Sequence, residues 1–450
     1  MQQADPDLLN NLRREFRDWR PWRDRAVVLA YAVAAGLAVV GFTLLAEQAF
    51  RWFDQIHAWN PWALLLWTPA CTAAIVWATR TWAPGAAGSG IPQVMAALEP
   101  ALPPAAKPSL VSLWLSSAKI VLASAGLLAG LSVGREGPSV QVAAGIMQHA
   151  RRWLSPDRIP LHALLVAGGA AGIAAAFNAP LAGVVFAIEE LSRKLESTNS
   201  GLIISAIVLA GLMGVSVFGN LTYFGVIHVP YLGWKALAPG LLTTLVSGVL
   251  GGFFAKLLAA SLTGSAGRLS VLRARYPIRF AAGAGLLVAL IGLGSGGTTF
   301  GAGSDAVKQM LAGHQDVPWF YVPFKFAATW LTAWSGAPGG IFAPSLSIGA
   351  GIGHEVAAIA GGEELAAALI AMGMAAFLAA VTQAPLTAFI IVMEMVDGHA
   401  MVLSLMTASL LASLISRLMT RPLYATLAHH MVSAAQSVPP AAASTAGTPK

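Results

Sequence analysis

Charged residues and cysteines are both scarce in this chain of 450 residues. Asp, Glu, Lys and Arg together make up 10% of the sequence, hydrophobic residues make up 56%, and the mean hydropathy is +0.68. Soluble domains carry about 25% charged residues, so this composition indicates a polytopic membrane protein. The single cysteine, Cys71, excludes disulfides within the chain and a metal site of four thiolates.

The sequence also lacks short motifs that mark metal sites and phosphate-binding enzymes. The nine histidines show no H-x-x-x-H or H-E-x-x-H spacing, and no lysine lies in a Walker motif. We therefore expect no enzyme activity, no metal and no cofactor. The formal net charge of +7 comes from basic clusters beside apolar runs, which is a pattern of membrane topology, so we expect no nucleic-acid partner.

Long stretches without Asp, Glu, Lys or Arg predict the membrane spans. About 20 apolar residues cross the hydrocarbon core as a helix. Runs such as 159–188, 197–234 and 326–354 are longer than one span needs, and they contain Gly, Pro or Asn. The sequence therefore predicts an all-α polytopic membrane protein with at least ten spans, many of them broken.

The two ends of the chain differ in composition from the membrane region at 27–430. Residues 1–26 are rich in charge and lack the features of a secretory signal, so they predict a cytoplasmic interfacial N-terminal helix. Residues 431–450 predict a disordered C-terminal tail. A basic cluster between two apolar runs predicts a further cytoplasmic loop and consists of Arg268, Arg273, Arg275 and Arg279.

Two segments of the chain recur later in the same order. FNAPLAGVVFAIEEL at 177–191 matches TQAPLTAFIIVMEMV at 382–396, and GREGPSVQVAAG at 134–145 matches GIFAPSLSIGAG at 340–351. Repeated halves are common in transporters, whose substrate sites lie at Gly- and Pro-interrupted segments in corresponding positions.

The repeat predicts a first half at about 27–220 and a second half at about 236–430, with a site near 134–139 and 340–345. The alternative is that these segments are only packing motifs, in which small residues let helices approach closely.

The glycine-rich breaks have the sequence pattern of helix starts, with Gly first and Pro in the first turn. GSGIPQ at 88–93 shows this pattern too. A helix start carries unpaired N–H groups and a partial positive charge, so several converging starts with hydroxyls and a cation can hold an anion. Ser89, Tyr424 and Lys119 are candidates for these additional groups. Because carboxylates are nearly absent, we expect a small monovalent anion.

Glu136 is the exception, within GREGP at 134–138. At a helix start it would occupy the position of the anion and act as a tethered competitor that leaves when it is protonated. Burial disfavours the ionised form of Glu136, and the charges of Lys119 and Arg135 favour it. These opposed effects permit titration near physiological pH. The alternative is a structural salt bridge from Glu136 to Arg135 or Lys119.

Glu189 and Glu190 end a long apolar segment beside Arg193 and Lys194. Acidic residues in membrane segments are costly, so we predict that one of the pair accepts protons. The alternative is an interfacial cluster in which the pair only balances the basic residues. Glu394, at the equivalent position of the repeat, is predicted to be structural.

With GSGIP at 88–92, GREGP at 134–138, GGIFAP at 339–344 and Tyr424, the chain resembles the CLC family of chloride channels and proton-coupled chloride transporters. The resemblance covers about 30–430 and is to bacterial members without CBS domains. It implies two antiparallel, inverted-repeat halves of tilted and broken helices, the CLC fold. It also implies a homodimer in the bacterial inner membrane, in contact with lipids and with both termini cytoplasmic.

The resemblance assigns roles to individual residues. It implies that Glu136 is the external gate and Glu190 the internal proton acceptor, although Glu189 stays open as an alternative to Glu190. Lys119 and Arg135 would supply supporting charge. The anion would be coordinated by the first motif, by N–H groups of the third motif and by the late tyrosine, at the position for which Glu136 competes: Ser89, Gly90, Ile91, Ile341, Phe342 and Tyr424.

The function that the resemblance implies is chloride/proton antiport, with chloride and protons as the transported partners. Channel members usually have another residue at the position of Glu190, so a glutamate there favours exchange. Ser89 in the first motif favours chloride. The alternative function is a passive, voltage- or pH-gated chloride channel on the same fold.

Overall fold

The protein is built from α-helices. The computed structural model describes residues 19–155, 158–192, 200–219, 223–227, 234–264, 267–313, 317–360 and 363–437, and in these ranges the only β-type pairing is one bridge, Gly134 with Gly340. The helices are α1 (Arg20–Trp59), α2 (Leu64–Trp82), α3 (Ile91–Leu98), α4 (Leu113–Leu128), α5 (Glu136–His149), α6 (Leu161–Phe177), α7 (Pro180–Phe186), α8 (Ser200–Phe218), α9 (Leu237–Leu262), α10 (Arg268–Arg275), α11 (Pro277–Gly294), α12 (Ser304–Leu311), α13 (Tyr321–Ser335), α14 (Phe342–Ala360), α15 (Glu363–Thr382), α16 (Pro385–Met395), α17 (Val402–Met419) and α18 (Leu423–Gln436).

The described helices include both membrane-length and shorter ones. Among the described residues, eight helices are long and apolar enough to span a membrane, and α6 and α16 are shorter apolar helices. The predicted breaks are confirmed where α6 is followed by α7 and α15 by α16. At these breaks Asn178 and Gln383 adopt positive φ angles of 55° and 62°, and an Ala-Pro step begins the next helix. The long helices are α1, α2, α4, α8, α9, α11, α15 and α17.

The main hydrophobic core includes two closely packed helix pairs, α5 with α6 and α14 with α15. Glycine allows each pair to pack closely. A Cβ on Gly168 would clash with the backbone of Ala144, and a Cβ on Gly349 would clash with the backbone of Gly373. Because the two pairs come from corresponding parts of the repeat, each half contributes one of them to the common core.

Two glutamates tie the halves together by capping helices across the repeat. Glu189 accepts hydrogen bonds from the first N–H groups of α16, the shorter being 2.7 Å from Thr387. Glu394 accepts the equivalent bonds at the start of α7, the shorter being 2.7 Å from Ala182. Each carboxylate satisfies N–H groups that a helix start leaves unpaired. The structural role predicted for Glu394 is therefore observed, and Glu189 shares it.

The ends of the membrane domain differ from the predicted boundaries. Residues 20–26 already belong to α1, whose helix runs without interruption from Arg20. The earlier part of the predicted interfacial helix, 1–18, lies outside the described residues. At the other end α18 continues to Gln436, because the residues after 430 include good helix formers such as Ala, Met and Gln. Of the predicted tail, 438–450 lies outside the described residues.

Candidate anion and proton site

Backbone hydrogen bonds bring the three motif loops to one place. Gly134 and Gly340 each donate to the carbonyl of the other at 2.8 Å, and the N–H of Gly339 donates to the carbonyl of Gly88 at 3.0 Å. A Cβ on Gly137 would clash with the Ser89 side chain, so the first and second motifs are also in contact. The loops that the sequence singled out therefore form a single site.

Three helices begin in this site, as predicted, and each has a proline in its first turn. α3 begins at Ile91, α5 at Glu136 and α14 at Phe342. Gly90, before α3, has a φ of 109°, and a Cβ there would lie 2.7 Å from the carbonyl oxygen of Gly137. Glycine is therefore required for both the backbone conformation and the close contact. The helix starts supply N–H groups and partial positive charge to the site.

Two buried hydroxyl groups face this site. Ser89 Oγ and Tyr424 Oη have no hydrogen-bond partner among the described residues, and they lie near enough to influence each other. Tyr424 is buried, and its ring packs edge-on against Phe342 with the centroids 5.9 Å apart. Buried hydroxyls are rarely left unpaired, so these two donors suit an anion bound between them.

The Glu136 carboxylate lies at the start of α14. Its Oε2 would clash with a Cβ on Gly134, and it lies beside the backbone N–H of Ala343 in the first turn of α14. Neither carboxylate oxygen forms a well-directed hydrogen bond to a described residue. A negative side chain thus occupies a helix start that attracts anions, the position expected of a tethered competitor.

Arg135 does not form the salt bridge with Glu136 that was the alternative interpretation. Its Nη1 pairs with Glu47 Oε1 on α1 at 2.8 Å. Its guanidinium group lies over the Tyr223 ring, 5.8 Å from the centroid. The sequence analysis identified neither partner, because Glu47 and Tyr223 lie in segments far from Arg135 along the chain.

Lys119 does not form the alternative salt bridge with Glu136 either. Its Nζ donates to the carbonyls of Ala86 at 2.8 Å and Gly88 at 2.6 Å. These bonds fix the backbone of the first motif loop. Lys325 on α13 does the same for the loop at 299–301, with bonds of 3.0 and 2.8 Å. Lys325 was not predicted from the sequence, although it precedes GIFAP at 340–344 by the same interval at which Lys119 precedes GREGP at 134–138.

A cavity of about 650 Å³, here named the Glu136 cavity, reaches the site from one side. Its lining carries both signs of charge and includes Glu47, Arg135, Glu136, Tyr223 and Lys308. Ser89, Tyr424 and Glu190 do not belong to the described lining. Glu136 therefore lines this cavity and also lies within electrostatic reach of the buried Tyr424 hydroxyl.

Glu189 and Glu190 have different environments. Glu189 caps α16, as described above. Glu190 is half-buried in the π-helical turn Ala187–Ser192, and its charge acts on the Tyr424 hydroxyl. Arg193 and Lys194, which the interfacial alternative requires, lie outside the described residues. Glu189 thus serves as a helix cap, and Glu190 lies within electrostatic reach of Tyr424.

No metal site accompanies these groups in the part of the chain that the structure describes. There, no group of three or more His, Cys, Asp or Glu side chains could hold a metal ion. The site instead combines helix starts, hydroxyls and single carboxylates, a set suited to anions and protons.

Comparisons with known proteins agree with this geometry. The family model described as voltage gated chloride channel matches residues 71–417. The H(+)/Cl(-) exchange transporter ClcA of Cronobacter sakazakii (strain ATCC BAA-894) is 32% identical over 448 residues, covering 91% of this chain and 90% of the relative.

Solved structures share the fold. A slow cyanobacterial Cl⁻/H⁺ antiporter matches with a TM-score of 0.75 and 25% identity, over 91% of this chain and 98% of that one. A CLC-type fluoride/proton antiporter matches with a TM-score of 0.74 and 22% identity, over 89% and 96% of the two chains. A eukaryotic CLC transporter matches with a TM-score of 0.71 and 22% identity, over 91% and 74%.

Proposed function

Because the chain belongs to the voltage gated chloride channel family, we propose that it is a chloride/proton antiporter. The observation that carries this proposal is the position of Glu136, whose buried carboxylate lies at the start of α14, lines the Glu136 cavity and acts on the Tyr424 hydroxyl. The chain's similarity to an H(+)/Cl(-) exchange transporter over most of both sequences supports the same function.

Coupling follows from competition for one position. The ionised Glu136 side chain takes the place of an anion at the start of α14. When a proton neutralises it, the attraction to the helix start is lost and the side chain leaves. Chloride then binds to Ser89, Tyr424 and the N–H groups of Ile341 and Phe342. Chloride release allows Glu136 to return only after it loses its proton, so the two ions move in opposite directions.

Glu190 is the proposed proton acceptor on the other side of the site. Its charge acts on Tyr424, whereas the carboxylate of Glu189 already accepts two backbone hydrogen bonds. Protonation of a carboxylate that caps a helix removes its charge and weakens those bonds, which makes it a poor proton carrier. Protons therefore pass between Glu136 and Glu190, past the bound anion.

A passive chloride channel is the second candidate, and the description of the matching family favours it. On this scaffold Glu136 would open and close the anion path without carrying protons across. The two candidates share the anion site and differ in proton movement alone, so only a measurement of both ions separates them.

Substitution of Glu136 by glutamine tests the proposed competition. The variant carries no titratable group at this position, so purified protein in liposomes should move chloride but not protons. Chloride efflux and proton uptake are measured on the same vesicles, with Glu99→Gln, an exposed glutamate after α3, as the matched control. Chloride-coupled proton movement that survives in Glu136→Gln would refute the mechanism.

We further propose that the protein is a homodimer in the bacterial inner membrane with both termini cytoplasmic. Exposed leucines on α7, α16 and α17 form an apolar face where the two halves cap each other, and a second copy would cover it: Leu181, Leu386, Leu403, Leu410, Leu414 and Leu418. Cross-linking of single cysteines placed on this face tests the dimer. Monomers alone at high protein density would contradict it.

A further inference from the structure

Arginines gather where α2 ends and where α10 leads into α11. Arg80 lies in the last turn of α2, Arg273 and Arg275 on α10, and Arg279 in the first turn of α11. Arg275 and Arg279 both lie over the ring of Tyr276, 5.3 and 5.4 Å from its centroid. None of them takes part in the proposed transport site.

Arg273 is held close to a second positive charge. It is half-buried, and its Nη1 donates to the carbonyl of Ser261 at 3.2 Å. Burial and the charge of Arg80 both lower the pKa of Arg273, which shows that the two cations repel each other. Its Nη2 lies 3.6 Å from the position of a Cβ on Gly336, in the turn that leads to the third motif.

Among the described residues, no carboxylate pairs with this cluster. The stretches of sequence that contain the groups of this cluster, 55–98, 197–304 and 317–354, have no Asp or Glu. Within the described residues, none of these arginines forms a salt bridge. Like charges held together in a half-buried place are costly, so an anion from outside the chain would stabilise the arrangement.

The surroundings of the cluster are those of a bilayer surface. Trp82, next to the end of α2, is 61% exposed, and Trp and Tyr are typical of the boundary between headgroups and acyl chains. On α10 the arginines alternate with exposed apolar residues, among them Leu269 and Val271. A ligand for this place therefore needs both a negative headgroup and an apolar body.

We propose that the cleft between the end of α2, α10 and the turn at Gly336 binds the phosphate of an anionic phospholipid. Arg80 and Arg273 contact the phosphate, since paired guanidinium groups match its geometry. Arg275 and Arg279 add to the local positive potential, and the apolar side chains of α10 contact the acyl chains. Charges that only orient a membrane protein need no half-buried arginine held beside a second one, so this site goes beyond the predicted cytoplasmic loop.

The test is lipid binding by the full-length protein. Purified protein in detergent receives phosphatidylglycerol or phosphatidylcholine of the same chain length, and native mass spectrometry and thermal unfolding report binding. One variant combines Arg80→Gln with Arg273→Gln, and a second carries Arg80→Gln alone. The single variant is included because Arg80 is exposed, so its replacement should leave the fold intact. Arg151→Gln with Arg152→Gln, two exposed arginines after α5, is the charge-matched control.

Phosphatidylglycerol should bind and raise the unfolding temperature of the parent, and phosphatidylcholine should not. Binding should weaken about tenfold or more in the double variant, measurably in Arg80→Gln, and little in the control. Equal binding of the two lipids, or an equal loss in the control, would overturn the proposal. Inorganic phosphate is added alone at matched ionic strength; if it stabilises the parent as well as the lipid does, the site binds free phosphate and the lipid assignment is wrong.

Discussion

At the scale of single residues, the site depends on which groups already have partners. Lys119 is bonded to two carbonyls and Arg135 to Glu47, whereas Ser89 and Tyr424 keep their hydroxyls unpaired within the described residues. The sequence identifies the residue types that face an anion. It does not show that Lys119 and Arg135 already bind other groups of the protein, because their partners come from distant segments of the sequence.

Glu47 sets the electrostatic environment of the gate through Arg135. In Glu47→Gln one negative charge is lost and Arg135 keeps its own, so protonation of Glu136 becomes less favourable. The pH profile of chloride transport should shift to lower pH, by less than about one unit because Glu47 is half-exposed. Transport by reconstituted protein across a pH series measures this shift.

The double variant supplies the control for Glu47. When Glu136 is already glutamine, no titratable group remains at this position for Glu47 to influence. Glu47→Gln should then leave the pH profile of chloride transport as it is in Glu136→Gln. A shift of equal size in that background would show that Glu47 acts elsewhere.

At the scale of helices, the breaks were predictable and their caps were not. Gly and Pro mark the starts of α3, α5 and α14 in the sequence, since few other residues allow these backbone conformations. The caps that Glu189 and Glu394 form involve residues from opposite halves. The sequence therefore left the roles of Glu189 and Glu190 open, and the structure adds that Glu189 caps α16.

Loss of a cap should destabilise the fold. Glu189→Gln keeps one acceptor oxygen and loses the charge at the start of α16, which should cost about 1–2 kcal/mol. Glu394→Gln should have a similar effect at the start of α7. Thermal unfolding in detergent measures both, and the exposed Glu99→Gln should unfold at the parent temperature. An unfolding temperature as high in Glu189→Gln as in Glu99→Gln would contradict a capping role.

At the scale of the whole molecule, the inverted repeat gives the two halves matching folds. Residues that differ between the halves give the site its function. Lys119 and Lys325 hold equivalent loops, but Ser89 in the first loop has no hydroxyl counterpart in the second, where Ala302 follows Gly301. The second loop lines the Glu136 cavity instead. The repeated motifs predicted where the halves meet. The division of roles between the halves follows from side chains that the repeat does not share.

The most direct test of exchange is proton uptake by reconstituted liposomes driven only by a chloride gradient, comparing the parent with Glu190→Gln and Glu189→Gln. The parent should pump protons against their gradient, Glu190→Gln should move chloride without pumping, and Glu189→Gln should pump despite its lower stability. Chloride movement without proton pumping in the parent would establish a channel and contradict the proposed antiport. Pumping that survives in Glu190→Gln would remove Glu190 from the proton path.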